Sequence, residues 1–143
     1  MAVETINSNH YRYQLATGNI DFSTDVFKMI LMGTGFVFDK DAHPDLASVT
    51  ANQIASGNGY AQNDITLADG SFTEDDTGDR FSATWDDVTV TASGGAIESF
   101  IGVIVYDDTT SDDTVIFYTD LDTTVALTDG LSFIANTISV QIA

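Results

Sequence analysis

Two imidazoles, 22 carboxylates and no thiol are the side chains of this 143-residue chain that could carry out chemistry. Nucleophilic catalysis needs a base held beside a Ser, Thr or Cys. The imidazoles are His10, in a polar stretch near the start, and His43, in a loop just before Pro44. The flanks of both read as surface positions. Glycoside hydrolysis needs two carboxylates facing each other across a cleft, one of them raised by burial. With 19 Asp and three Glu, such a pair is easy to imagine and therefore uninformative. Glu98 stands apart because it enters an otherwise apolar run; a place at a sheet edge, pointing to water, is its expected role.

Three acidic stretches hold the hard oxygen donors that calcium takes: 73–79 (TEDDTGD), 107–113 (DDTTSDD) and 120–122. None has the spacing of an EF-hand loop, with Gly at its sixth position and Glu at its twelfth. No metal ligand and no cofactor is therefore assigned, and weak calcium binding is the most these loops imply. The Gly-rich pieces Gly57-Asn58-Gly59 and Gly94-Gly95 lack the strand, helix and Lys of a phosphate cradle and read as turns. Trp85, Tyr60, Tyr106 and Tyr118 offer rings that can stack on a sugar. Their positions inside strand patterns place them instead in the core or at a subunit interface.

The charge balance narrows the partners. Arg12, Lys28, Lys40 and Arg80 are the only basic residues, and the net charge is −18. Nucleic acid and anionic membrane are excluded as partners, because both need clustered Lys and Arg. A basic protein surface, divalent cations or a salty medium remain. The absence of Cys removes disulfides and thiolate zinc sites. Neither a signal-peptide pattern nor an apolar run of about 18 residues is present, so synthesis in the cytoplasm is expected.

The elements that must position these residues are strands. Asp bonds to nearby amides and prefers turns, while the abundant Thr and Val fit a pleated surface. Strands are expected at 25–32, 35–38, 60–67, 79–84, 87–91, 97–106, 114–120, 124–127, 131–135 and 138–142, with 97–106 central because both its faces are apolar. One short helix or helical turn is expected within 41–55, near Pro44. The fold class is thus all-β, an antiparallel two-sheet β-sandwich, with a jelly roll as one form it can take. Residues 1–10 read as a polar N-terminal arm, and 11–143 as a single β-sandwich domain.

Four strings, YQLATGNIDFSTDVFKMIL, ANQIASGNGYAQNDITL, DDVTVTASGGAI and GVIVYDDTTSDDTVIFYTDL, together resemble a family of small structural proteins of tailed bacteriophages, of the capsid decoration (cement) or tail-associated kind. The resemblance spans Tyr11 to Ile142. It implies a non-enzymatic virion protein, most simply a decoration protein that gathers as dimers or trimers on the major capsid protein and stabilises the mature head. A tail or fibre component that binds a host receptor or glycan, with Trp85 or Tyr118 at the sugar, is the alternative. The resemblance carries over no catalytic residue. From the sequence itself, Tyr11, Arg12 and Tyr13 are the candidate partner-binding residues: an aromatic-basic-aromatic cluster in a chain nearly devoid of cations.

Overall fold

The computed structural model describes residues 4–136 and 138–142. Among them lie ten strands: β1 (Glu4–Asn7), β2 (Phe27–Gly33), β3 (Ile65–Thr66), β4 (Ser71–Asp75), β5 (Arg80–Trp85), β6 (Val88–Thr91), β7 (Ile97–Asp107), β8 (Val115–Leu127), β9 (Ser132–Ala135) and β10 (Ile138–Ile142). Two α-helices accompany them, α1 (Asn9–Ala16) and α2 (Leu46–Val49), and α2 runs into a 3-10 turn over Thr50–Asn52. The chain is all-β, and every strand pairing is antiparallel.

The first layer is a five-stranded sheet in the order β1-β8-β7-β2-β3. Its central strands are apolar on both faces because both faces are covered. Met29, Leu31, Val103 and Val105 enter one core, while Ile30, Met32, Ile104 and Tyr106 enter the other. Phe36, Phe38, Leu46 and Val49, from the segment that carries α2, cap the second face.

The opposite layer consists of β10-β5-β4 and β6-β9. These two sheets keep one register: moving three residues from Ile138 back to Ala135 advances the partner three residues from Trp85 to Val88. They therefore form a single long ladder, interrupted at Asp86-Asp87. Aromatic contacts fasten the layers together, with Phe27 and Trp85 ring centroids 5.1 Å apart and Phe100 and Phe133 meeting edge-on, also at 5.1 Å. Such pairs add to the burial of their apolar area.

Several expectations change in detail. The described part of the 1–10 arm is not free: β1 pairs with β8 along 117–120, and Ser8 starts a helix. Residues 1–3 lie outside the described residues. Gly35–Phe38 is not a strand, since Phe36 N–H turns back to the Gly33 carbonyl and the Phe36 ring folds onto the second core. Of 60–67 only Ile65–Thr66 forms a strand, and 114–120 and 124–127 merge into β8, with Asp122 at a φ of 57° where the ladder with β7 slips. β4 was missed because only Phe72 within it points to the core. The helical turn expected within 41–55 is α2, capped by Asp45 and Ser48 immediately after Pro44.

α1 has no apolar stripe to announce it, and its ends carry the signal instead. Ser8 Oγ accepts from the Tyr11 amide at 3.4 Å. At the other end, Gly18 takes a φ of 78° while Gly18 N–H bonds the Leu15 carbonyl and Asn19 N–H the Gln14 carbonyl, a Schellman closure. Ser8 is fully buried and also ties its own amide to Ile116 of β8. Ser8→Ala should lower the unfolding free energy by about 1 kcal/mol, the usual worth of an N-cap, as read from the midpoint of a urea titration. An unchanged midpoint would mean that the cap contributes nothing.

Candidate functional site

The cluster singled out in the sequence lies on α1, and the helix pulls it apart. Successive helical residues project about 100° from one another. Tyr11 turns inward, is 1% exposed and meets Phe22 edge-on. Its ring belongs to the core and borders the opening beside Arg12 only at its edge, so it offers a partner almost no surface. Tyr13 is 62% exposed and stacks on His10 with ring centroids 6.0 Å apart. Arg12 is exposed and lines an opening with Asn7, Gln141 and Ile142, at whose edge Tyr11 also stands.

Arg12 differs from the other cations in one respect. Lys28 pairs with Asp108 at 2.9 Å, Lys40 with Asp41 at 3.1 Å and Arg80 with Asp75 at 3.0 Å. Among the described residues Arg12 has no ion pair, although the net charge of the chain is −18. An exposed guanidinium left free amid so many carboxylates is available to an acidic group on another molecule.

α1 is pinned to the β7-β8 loop by a polar network. His10 Nε2 lies 2.8 Å from Asp112 Oδ2, and Thr114 Oγ1 donates to Asp112 Oδ1 at 2.6 Å. Gln14 Nε2 reaches Thr114 Oγ1 at 3.4 Å, and its Oε1 accepts from Asn19 at 2.7 Å. The hydroxyl and the imidazole beside Asp112 thus hold a helix against a loop. His43 is engaged as well: its Nδ1 accepts from the Asp39 amide at 2.9 Å, and its ring sits against Phe36 and Phe38. Glu98 is exposed as expected, but it lies near the start of β7, an inner strand and not a sheet edge, and its Oε2 accepts from the Ala55 amide at 2.8 Å.

The Asp-rich stretches build turns. Asp75 accepts from the Thr77 and Gly78 amides and from Arg80, and the Gly78 amide is the main reason its carboxyl is held below the usual range. Asp120 accepts from the Asp122 amide at 2.8 Å. Among the described residues no three carboxylate or imidazole groups gather as a metal would require. Gly59 has a φ of 101°, and a Cβ there would come within 2.2 Å of the Thr91 carbonyl oxygen, so that turn needs Gly.

Trp85, Tyr60, Tyr106 and Tyr118 are all buried, at 7%, 3%, 0% and 2% exposure. None presents a face to a sugar, and the glycan site drawn on Trp85 and Tyr118 is withdrawn. The Tyr60 hydroxyl accepts from the Leu31 amide and from Gln53, which makes it a brace between β2 and the segment after α2.

No protein-family model, curated protein or solved structure matches the chain. Among the described residues no helix is long and apolar enough to cross a membrane.

The structure also contains two features that the sequence did not disclose. One is Asp107, fully buried at the end of β7, whose Oδ1 accepts from the Thr109 amide while its Oδ2 has no hydrogen-bond partner. Burial above all, then the neighbouring Asp25, pushes its carboxyl up to about 7. The other is an opening between the two layers, lined by Thr5 and Thr119 on one side and by Phe133 to Ala135 and Ser139 on the other.

Proposed function

We propose that this chain is a non-enzymatic structural protein of a virion, a capsid decoration (cement) protein that docks on the major capsid protein and stabilises the mature head. The observation that carries the reading is the free, exposed Arg12 on α1, with exposed Tyr13 on the adjoining flank, in a chain whose other cations are neutralised internally. A guanidinium and an aromatic ring are the groups that most often dominate protein interfaces. The engagement of His10, His43 and Glu98 in holding the fold agrees with a structural role, and so does the resemblance in sequence. A protein that binds only the assembled lattice stabilises that lattice by mass action.

The test is co-sedimentation of the purified chain with the capsid of its phage. Both side chains are exposed, so Arg12→Glu and Tyr13→Ser should leave the fold intact. Each is expected to weaken attachment at least tenfold, which corresponds to about 1.4 kcal/mol, and the Arg12 contribution should shrink at high salt. Attachment of both variants at wild-type strength would remove α1 from the interface. Partition of the chain with purified tails and not with heads would move the assignment to a tail or fibre component. Light scattering on the free chain decides whether it gathers as dimers or trimers.

A further inference from the structure

The first layer is five strands wide and the layer opposite it only three, counting β5 with β6 and β10 with β9 as single lines. Among the described residues, part of the first sheet therefore has no strand above it. There the core opens into a cleft of about 240 Å³. Its floor is Met29, Val103, Val105 and Phe117, and Phe133, Ile134 and Ile138 form its wall. The cleft continues past Thr5 and Ser139 to Asn7 and Gln141, and from there to Arg12 and Ile142.

The wall is an open strand edge. Among the described residues β10 pairs only with β5, and β9 only with β6. An unpaired edge is a template for another strand, and proteins usually blunt it with charge, proline or a covering segment. Neither Ser132–Ala135 nor Ile138–Ile142 contains a charged residue or a proline, although 22 acids are spread over the rest of the chain. Ile134, in the wall, is 56% exposed.

The charge at the end of the cleft selects the occupant. Beyond Ile142 stands the β4-β5 turn with Glu74, Asp76 and Asp79, none of which has an ion pair among the described residues. A segment leaving the cleft there meets these three carboxylates against one cation without an ion pair among the described residues, Arg12, since Arg80 beside them is held by Asp75 and Gln141. Among its described residues, a second copy of this chain has one Lys or Arg without an ion pair, Arg12, to bring to that place.

We infer that the cleft accepts an extended segment of a partner protein, which adds as a strand along β9 and β10, sets alternate apolar side chains over Met29 to Phe117, and places Lys or Arg against Glu74, Asp76 and Asp79. An extended segment of about eight residues, at about 3.3 Å each, covers Ile138–Ile142 and part of Ser132–Ala135. Main-chain pairing supplies attachment and the alternating pockets supply selection, as in other strand-addition complexes. The inference rests on the reading of this chain as a module that docks on proteins, and names the chemistry of what it would hold.

The test uses an array of synthetic octapeptides with Val, Ile or Leu at alternate positions, Thr or Ser between them and two Lys at one end, read by fluorescence anisotropy against the full chain. Saturable binding is expected for members of the array. It should weaken at least tenfold when the two Lys become Glu, when the apolar positions become Pro, or when the protein carries Ile134→Arg. Val37→Arg, at a residue 80% exposed and outside the cleft lining, should change nothing. The inference is overturned if the folded chain binds no peptide of the array, or if Ile134→Arg binds as the wild type does. It is overturned in favour of a second copy if light scattering shows a dimer that Ile134→Arg dissolves and no peptide displaces. Peptide binding by a chain that ignores capsids would uphold the cleft and sink the capsid assignment.

Discussion

Tyr11→Ala is expected to lower the unfolding free energy by about 3–5 kcal/mol, the usual loss when a buried aromatic ring is deleted, while Tyr13→Ala should stay within about 0.5 kcal/mol. The two residues are neighbours but one on the chain, yet they are 1% and 62% exposed. The Tyr11 ring packs in the core between the layers with Phe22, so its removal leaves a cavity that rigid strands on both sides cannot close. Its hydroxyl is buried without a hydrogen-bond partner, and burial raises its pKa. Tyr11→Phe therefore removes an unsatisfied polar group and should be neutral or mildly stabilising. Urea titrations of the three variants decide the matter. Equal losses for Tyr11→Ala and Tyr13→Ala would mean that α1 does not sit as described. A consequence for function follows: deleting residues 1–13 would strip β1 and Tyr11 from the fold, so loss of capsid attachment in that deletion would report unfolding and not a lost contact.

The same residues explain what could be read in the sequence. β2, β7 and β10 were legible because burial imposes a pattern on them: continuous apolar runs where both faces are covered, and Ile138, Val140 and Ile142 on one face where only one is. α2 was legible through Pro44 and the Asp45 cap. α1 was not, since NHYRYQLA is polar and buries only Tyr11 and Gln14. Its termini, Ser8 before and Gly18 after, were the available signal. The arm reading of residues 1–10 failed for a related reason. β1 is held mainly by backbone bonds to β8, and backbone bonds leave no mark on composition. The candidate contact residues were chosen by type, and type says nothing about direction on a helix. The cleft was out of reach of sequence reasoning, because it arises from a difference in width between two layers whose strand order depends on long-range pairing.

Asp107 lends itself to a test in which the sign of the pH dependence is the result. Its carboxyl is fully buried, with one oxygen bonded to the Thr109 amide and the other without a hydrogen-bond partner. Its pKa stands near 7 when folded and near 3.8 when the chain is unfolded. Between those values the folded state binds more protons than the unfolded state, so stability must fall as pH rises from about 4 to about 7 and remain lower above. The carboxylates held low by turn amides, Asp21, Asp39 and Asp75, act in the opposite sense, losing stability only as pH falls below the usual carboxylate range. Asp86 and Asp113 are raised, both chiefly by burial and then by neighbouring acids, and Lys28, which draws Asp113 down, is itself paired with Asp108. Subtraction of a single variant separates Asp107 from all of these. Asn keeps an oxygen for the Thr109 amide and does not ionise. Asp107→Asn should therefore be more stable than the wild type at pH 8, by on the order of 2 kcal/mol, with the advantage vanishing toward pH 4.5. Thermal unfolding of both chains across that range is the measurement. A variant that loses stability equally at pH 8 and pH 4.5 would show that the buried oxygen is satisfied as an anion.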